Sequence, residues 1–89
     1  MNIYVGNLSS FTTEKHLEDI FVPFGEVRSV KVVMDALSGR SRRFGFVEMP
    51  ARDNAERAIK ELHNTRLNTQ LIVVSEVQPR STETSRGKK

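Results

Sequence analysis

The 89-residue sequence contains no cysteine, no tryptophan and only two histidines, His16 and His63. Without cysteine the chain has no disulfide bond, no thiol nucleophile and no cysteine-ligated zinc or iron–sulfur site. Two imidazoles leave little for metal binding or acid–base chemistry, so we expect neither a metal nor a cofactor. A domain of this size buries one small core and cannot enclose a deep cavity, which argues against a small-molecule substrate.

Long apolar segments are also absent, since the longest apolar run comprises only residues 71–74. The first residues show neither the basic start nor the apolar stretch of a targeting segment. We therefore expect a soluble, cytoplasmic protein that does not bind or span a membrane. We also expect it to be a monomer.

Charge is distributed unevenly along the chain, although the formal net charge is only +3. Residues 1–27 carry one base and four acids, and residues 44–79 carry four bases and five acids. In contrast, residues 28–43 carry five bases and one acid, and residues 80–89 carry four bases and one acid. Positive charge concentrated in one stretch and one tail indicates a local phosphate-binding patch.

Apolar periodicity predicts two helices. In the first, Thr13 is a suitable N-cap, an apolar stripe follows at helical spacing, and Pro23 and Gly25 end the helix. The second is predicted to open at Pro50, because the first turn of a helix tolerates proline, and to stop at residues 63–64.

Alternating and β-branched residues predict four strands, at residues 3–5, 27–34, 43–49 and 71–77. The order β-α-β-β-α-β is that of the ferredoxin-like α+β fold, a four-stranded antiparallel sheet packed on two helices. Helices on one face leave the other face of the sheet open. We expect one domain over residues 1–78, followed by a disordered basic tail, residues 79–89, without any hydrophobic residue.

Three of the six aromatic residues are predicted to lie on this open face. Strand side chains alternate between faces, so core positions for the valine and methionine of the third strand place Phe44 and Phe46 outside with Arg42. The same alternation points Tyr4 and Lys31 outward. Such a placement is unusual, because aromatic residues are strong core formers.

The alternative is that these aromatics have only a structural role. Aromatic pairs across strands stabilise a sheet, and a one-residue shift in register would bury both phenylalanines. However, Gly45 suits a place where two surfaces approach closely. Basic residues also flank the aromatics. A site for single-stranded nucleic acid requires both kinds of residue, because bases stack on aromatic rings while cations neutralise the phosphates. The candidate cations are Lys31, Arg40, Arg42 and Arg43.

The segment RRFGFVEM, residues 42–49, resembles the ribonucleoprotein octamer of the RNA recognition motif family, K/R-G-F/Y-G/A-F-V-x-F/Y. The segment IYVGNL, residues 3–8, looks like the companion hexamer, and residues 35–41 resemble the family's loop between strands two and three. The resemblance covers residues 2–78. In length, and in starting almost at once with the hexamer, the chain also resembles the small single-domain RNA-binding proteins of bacteria.

This resemblance implies a non-catalytic protein that binds single-stranded RNA as a post-transcriptional regulator or RNA chaperone. Tyr4 and Phe46 would each stack one base. Phe44 would pack against the sugars between them, and Arg42 would pair with a phosphate. Groups just after the last strand, here Glu76 to Gln78, would read base edges. Single-stranded DNA stays open as an alternative ligand.

Several positions depart from the family pattern. Arg43 stands where the family has glycine, which either changes the entry to the strand or adds a phosphate contact. Met49 replaces a common aromatic at a position that faces the core, where methionine packs well. Thr65 and Thr69 occupy positions often held by glycine, which affects the conformation of their loops.

Two other functions compete with RNA binding. Acylphosphatases share the strand and helix order, and these enzymes resemble each other in a phosphate loop with an arginine after the first strand. Residues 6–13 of this sequence carry no basic residue, which argues against that activity. Some domains of the RNA recognition motif family bind proteins, and these usually lack the stacking aromatics that this sequence keeps. A protein–protein interaction module is therefore the alternative function.

Overall fold

The computed structural model describes residues 1–77, which fold with the helix and strand order predicted from the sequence plus one short hairpin. The elements are β1 (Asn2–Gly6), α1 (Glu14–Phe21), a 3₁₀ turn (Val22–Phe24), β2 (Ser29–Met34), β3 (Ser41–Glu48), α2 (Arg52–Leu62), β4 (Arg66–Leu67), β5 (Gln70–Leu71) and β6 (Val73–Glu76). The predicted tail, residues 79–89, lies outside the described residues. Within residues 1–77, neither helix has the length and apolar character needed to cross a membrane.

Four strands of the described chain form one antiparallel sheet in the order β2-β3-β1-β6. Both α-helices pack against the same face of this sheet and bury its apolar side chains, which confirms the predicted ferredoxin-like α+β fold. The core comprises Ile3, Val5, Leu8, Leu17, Phe21, Val32, Val47, Met49, Ala55, Ala58, Ile72 and Val74. Truncation of a buried phenylalanine such as Phe21 typically costs about 3–5 kcal/mol of stability. Because the core includes side chains from all four strands of the sheet, its packing also fixes the position of the open face.

The first helix begins where the sequence predicts. Thr13 Oγ1 accepts a hydrogen bond from the His16 amide at 3.4 Å, and His16 Nδ1 accepts one from the Thr13 amide at 3.1 Å. This reciprocal cap satisfies two amides that the helix itself leaves free. After α1, Pro23 lies in the 3₁₀ turn and Gly25 has φ 147°, where the Asn54 side chain leaves no room for a Cβ.

The predicted start of the second helix is wrong by two residues. α2 begins at Arg52, and its N-cap, Ala51, is extended with φ −90° and ψ 115°. An extended residue cannot lie within a helical turn, so Pro50 precedes the helix instead of opening it. The predicted end is confirmed, since His63 is extended with ψ 130° and Asn64 has φ 66°.

The last predicted strand is also wrong in its extent. β4 and β5 form a hairpin whose two turn residues, Asn68 and Thr69, have φ of 50° and 73°. Two successive positive φ values match the twist of a tight hairpin, so Thr69 adopts a conformation that favours glycine. The final strand of the sheet begins only at Val73.

Several other strand boundaries differ from the prediction by one or two residues. β2 begins at Ser29, and Val27, predicted to open it, packs against the core from the preceding loop. β3 begins at Ser41, two residues before its predicted start.

Candidate nucleic-acid interface

The sheet face opposite the helices carries three aromatic rings in mutual contact. Tyr4 and Phe46 are directly paired across β1 and β3, and their ring centroids are 6.1 Å apart at an interplanar angle of 63°. Phe44 lies 5.9 Å from each of the other two centroids, at 31° to Tyr4 and 87° to Phe46. We call these three residues the aromatic triangle. Aromatic pairs in such tilted or edge-to-face arrangements contribute about 0.5–1.5 kcal/mol each, so these contacts favour the observed orientation of the three rings.

The rings of the triangle are partly exposed. Phe46 is 37% exposed, and Tyr4 and Phe44 are half-buried, whereas the neighbouring Ile3 and Val47 are at most 1% exposed. The predicted alternation between core and open face is therefore confirmed along β1 and β3.

The strand register places two polar residues in line with the triangle. Lys31 of β2 is paired with Phe46, and Ser75 of β6 is paired with Tyr4. Paired residues of neighbouring strands share a face, so Lys31, Phe46, Tyr4 and Ser75 form one row across the open face. Ser75 was not among the predicted site residues, although alternation around Val74 in the last strand could have found it.

Two glycines make room for this surface. A Cβ on Gly6 would lie 2.7 Å from the Tyr4 ring carbons Cε2 and Cζ, so the ring can lie along β1 only over a glycine. A Cβ on Gly45 would overlap the main-chain carbonyl oxygen of Lys31 on the neighbouring strand. Gly45 is therefore in close contact with a neighbouring surface, as predicted, and that surface is the backbone of β2.

The start of β3 is irregular. Val32 is paired with Gly45 but Met34 with Ser41, so β3 has two more residues than β2 between these pairs. Within the irregular stretch Arg43 has φ 69°, a left-handed conformation that favours glycine. Arg43 therefore keeps the conformation expected of the glycine that the family pattern has there.

Hydrogen bonds hold Arg43 in this conformation. Its amide donates to Ser41 Oγ at 2.9 Å, and its carbonyl accepts from the Leu8 amide at 2.9 Å. Its Nε donates to the Leu8 carbonyl at 3.3 Å. Arg43 thus ties the start of β3 to the residues that follow β1.

The remaining predicted arginines lie at the same end of the sheet. Arg40 and Arg42 are exposed, and no ion pair within residues 1–77 involves either of them or Arg43. A surface depression at this end, which we call the basic groove, is lined by Ser10, Met34, Gly39, Arg40, Ser41 and Arg43. No carboxylate lines it, so the groove suits an anionic ligand.

Glu48 lies at the opposite end of the open face. Its carboxylate is 3.6 Å from Arg28 Nη1 and accepts a hydrogen bond from Ser29 Oγ at 3.3 Å. A second depression brings it together with Lys31 and Phe46. The open face therefore carries a hydrogen-bond acceptor as well as cations.

The structure does not bring the Glu76 side chain to the triangle. Glu76 lies within β6 and is paired with the buried Ile3, so its side chain faces the helices. Its carboxylate is 3.9 Å from Arg52 Nη2 of α2. Of the residues predicted to read base edges, Glu76 can therefore contribute main-chain groups, and Gln78 lies outside the described residues.

Comparisons with known proteins agree with this geometry. The family described as RNA recognition motif matches residues 3–73. The chain is 42% identical over 79 residues to glycine-rich RNA-binding protein 4, a mitochondrial protein of Arabidopsis thaliana, and this covers 89% of the chain and 58% of the relative. It spans between 17 and 58% of the lengths of five curated relatives.

Solved structures show the same fold. The crystal structure of RNA binding protein PG1 has a TM-score of 0.86 and 42% sequence identity, covering 90% of this chain and 96% of that one. The complex of Sxl-lethal protein with RNA has a TM-score of 0.78 and 33% identity, covering 83% of this chain and 46% of that one. Given the family match over residues 3–73, this chain belongs to the RNA recognition motif family.

Proposed function

We propose that this protein binds single-stranded RNA on the open face of its sheet. One base stacks on Tyr4 and one on Phe46, Phe44 packs against the sugars between them, and the neighbouring cations contact phosphates. The observation that carries this proposal is the aromatic triangle, partly exposed on a sheet face beside arginines that have no ion-pair partner among residues 1–77.

Energetics support a binding role for the triangle. Stacking of a base on an aromatic ring contributes about 1–3 kcal/mol, which equals or exceeds the roughly 0.5–1.5 kcal/mol of each ring pair within the triangle. Lys31, in register with Phe46, supplies a cation beside one stacking ring, and Arg42 is exposed two residues before Phe44. A single strand presents bases and phosphates together, which fits rings and cations side by side.

The names of similar proteins also support RNA as the ligand. Glycine-rich RNA-binding protein 4 and RNA binding protein PG1 are each 42% identical to this chain, and Sxl-lethal protein was solved in complex with RNA. Single-stranded DNA offers the same bases and phosphates, and only the 2′-hydroxyl separates the two ligands.

We further propose that the protein binds without catalysis. One ring nitrogen of each histidine is engaged in the fold: His16 Nδ1 accepts a hydrogen bond from the Thr13 amide, and His63 Nδ1 accepts one from the Val74 amide at 3.1 Å. Residues 1–77 hold no cluster of three or more histidine or acidic side chains that could bind a metal ion. A role as post-transcriptional regulator or RNA chaperone is part of the same proposal. A cytoplasmic location and a monomeric state stay predictions.

A binding assay with the double variant Tyr4→Ala/Phe46→Ala tests the proposal. Fluorescein-labelled pools of randomised single-stranded RNA and DNA report binding by anisotropy, and circular dichroism verifies the fold. The matched control is Val22→Ala, an exposed apolar residue after α1. We expect the control to bind like the parent and the double variant to lose most of its RNA binding. A folded double variant that binds RNA as tightly as the parent would refute the sheet-face site and favour the protein-interaction alternative.

A further inference from the structure

One aromatic residue outside the triangle is unexplained by the proposed function. Phe11, in the loop between β1 and α1, is 84% exposed. A phenylalanine side chain stabilises a fold mainly through burial of its apolar surface, and an exposed one does not contribute that free energy. A single exposed apolar residue is not informative alone, so its surroundings decide whether it has a role.

The loop that carries Phe11 is held by buried hydrogen bonds. Ser9 Oγ and Thr12 Oγ1 are hydrogen bonded at 3.1 Å, and these residues are only 6% and 4% exposed. The Phe11 amide donates to Ser9 Oγ at 3.2 Å, and Asn68 Nδ2 donates to Thr12 Oγ1 at 3.2 Å. The fold thus uses a buried polar network to present an exposed ring. A loop backbone that is already ordered before binding loses less entropy when a ligand contacts it.

The basic groove is lined by one residue of this loop and by residues around the start of β3. Ser10, the neighbour of Phe11 in the chain, lines the groove together with Arg40 and Arg43. At the other side, Arg43 directly precedes Phe44 of the triangle. Along the chain, Arg43 therefore connects the groove to Phe44 of the triangle, and the two arginines of the groove suit the phosphates of a strand that passes along it.

We propose that RNA extending beyond the triangle follows the basic groove, places phosphates on Arg40 and Arg43, and stacks a further base on Phe11. This inference rests on the proposed function and lengthens its footprint: the triangle holds the first nucleotides, and Phe11 serves only strands long enough to cross the groove. The positive lining favours the same nucleic-acid strand as the occupant, because an apolar protein segment would not need the arginines.

The test compares short and long RNA. Fluorescein-labelled pools of randomised RNA, about four and about ten nucleotides long, fall within the range of single-strand site sizes. A longer RNA offers more positions at which the protein can bind, which raises its apparent affinity. Because each variant is compared with the parent on the same pool, this effect is equal for both and does not change their ratio. We expect Phe11→Ala to weaken binding of the ten-nucleotide pool about fivefold or more and to leave the four-nucleotide pool unchanged.

Two further variants sharpen the comparison. Leu37→Ala is the matched control, because Leu37 is 98% exposed in the neighbouring loop between β2 and β3 and has no ring; it should bind both pools like the parent. Arg40→Gln should reduce the slope of log K against log salt by about 0.7 for the longer pool only, the value for one phosphate of a single strand. Amide chemical shifts of residues 9–12 should move with the longer RNA and not with the shorter.

The outcomes separate the two proposals. If Phe46→Ala weakens both pools and Phe11→Ala changes neither, the extension over the groove is refuted while the sheet-face site stands. Equal weakening of both pools by Phe11→Ala also refutes the extension, because Phe11 would then belong to the first binding site. If the parent binds neither pool, both proposals fall.

Discussion

The phenol ring of Tyr4 lies along β1 over the Cα of Gly6, two residues further on the same face of the strand. A methyl group at Gly6 would meet the ring at 2.7 Å, closer than Cβ atoms approach any neighbour in proteins. The orientation of a proposed stacking ring thus depends on the absence of a side chain at a neighbouring position.

Gly6→Ala should therefore impair RNA binding while leaving the fold intact. Because Tyr4 is only half-buried, its ring can rotate away from the new methyl group, and the protein loses a well-placed stacking surface. We expect binding about fivefold weaker or more, the equivalent of one stacked base. In the Tyr4→Ala background the same Gly6→Ala change should have no further effect on binding. A full effect in that background would show that Gly6 acts independently of the ring.

Tyr4 also offers a direct optical test of stacking. It is the only tyrosine in a chain without tryptophan, so the intrinsic fluorescence of the protein above the phenylalanine range comes from Tyr4 alone. We expect RNA to quench this emission as a base stacks on the ring. Free N-acetyltyrosinamide titrated with the same RNA corrects for absorption by the nucleic acid. Unchanged corrected emission at saturating RNA would contradict a base on Tyr4.

Two substitutions at Phe46 distinguish stacking from general apolar contact. Phe46→Ala should weaken RNA binding by about 5- to 150-fold, and Phe46→Leu should weaken it nearly as much, because leucine keeps apolar volume but has no planar ring. Urea unfolding should show Phe46→Leu to be the more stable of the two. Near-parental RNA binding by Phe46→Leu would show that the site needs an apolar side chain and no stacking.

Arg42→Ala should reduce the salt dependence of RNA binding. One phosphate contact on a single strand contributes about 0.7 to the slope of log K against log salt, and Arg42 is exposed without an ion-pair partner among residues 1–77. The matched control is Arg57→Ala, an exposed arginine on α2, behind the sheet. Equal slopes for Arg42→Ala and the parent would remove Arg42 from the phosphate contacts.

The left-handed conformation of Arg43 predicts an unusual order of stabilities. Arg43→Gly removes backbone strain of about 1–2 kcal/mol but also the hydrogen bond from Nε to Leu8, so its stability should remain near that of the parent. Arg43→Val loses the same hydrogen bond and keeps the strain, which is greater for a β-branched residue. We expect the valine variant to be less stable than the glycine variant by about 1–2 kcal/mol in urea unfolding. Equal stabilities would contradict the conformation.

Features that depend on near neighbours in the chain were predictable from the sequence. Thr13 as the cap of α1, Pro23 and Gly25 at its end, and the outward direction of Tyr4 and Phe46 all follow from periodicity and local backbone preference. The aromatic triangle could be predicted because side chains alternate strictly along the regular part of β1 and β3.

Other features depend on contacts between distant residues. The irregular pairing at the start of β3 follows from how Val32 and Met34 of β2 pair with it, and Arg43 is held there by Leu8, which follows the neighbouring strand β1. The β4–β5 hairpin contains no glycine in its turn, so asparagine and threonine adopt positive φ without the usual signal.

Sequence alone was sufficient for the fold class and for which rings stand on the open face, because the apolar pattern settles which side of each strand packs under the helices. Tertiary structure was needed for the partners of each charge. It turned Glu76 toward Arg52 and the helices, left Arg40 and Arg42 without an ion pair among residues 1–77, and brought Ser10, beside Phe11, to the basic groove. These differences arise because ion pairs and grooves form between residues far apart in the chain, whose positions only the packed sheet establishes.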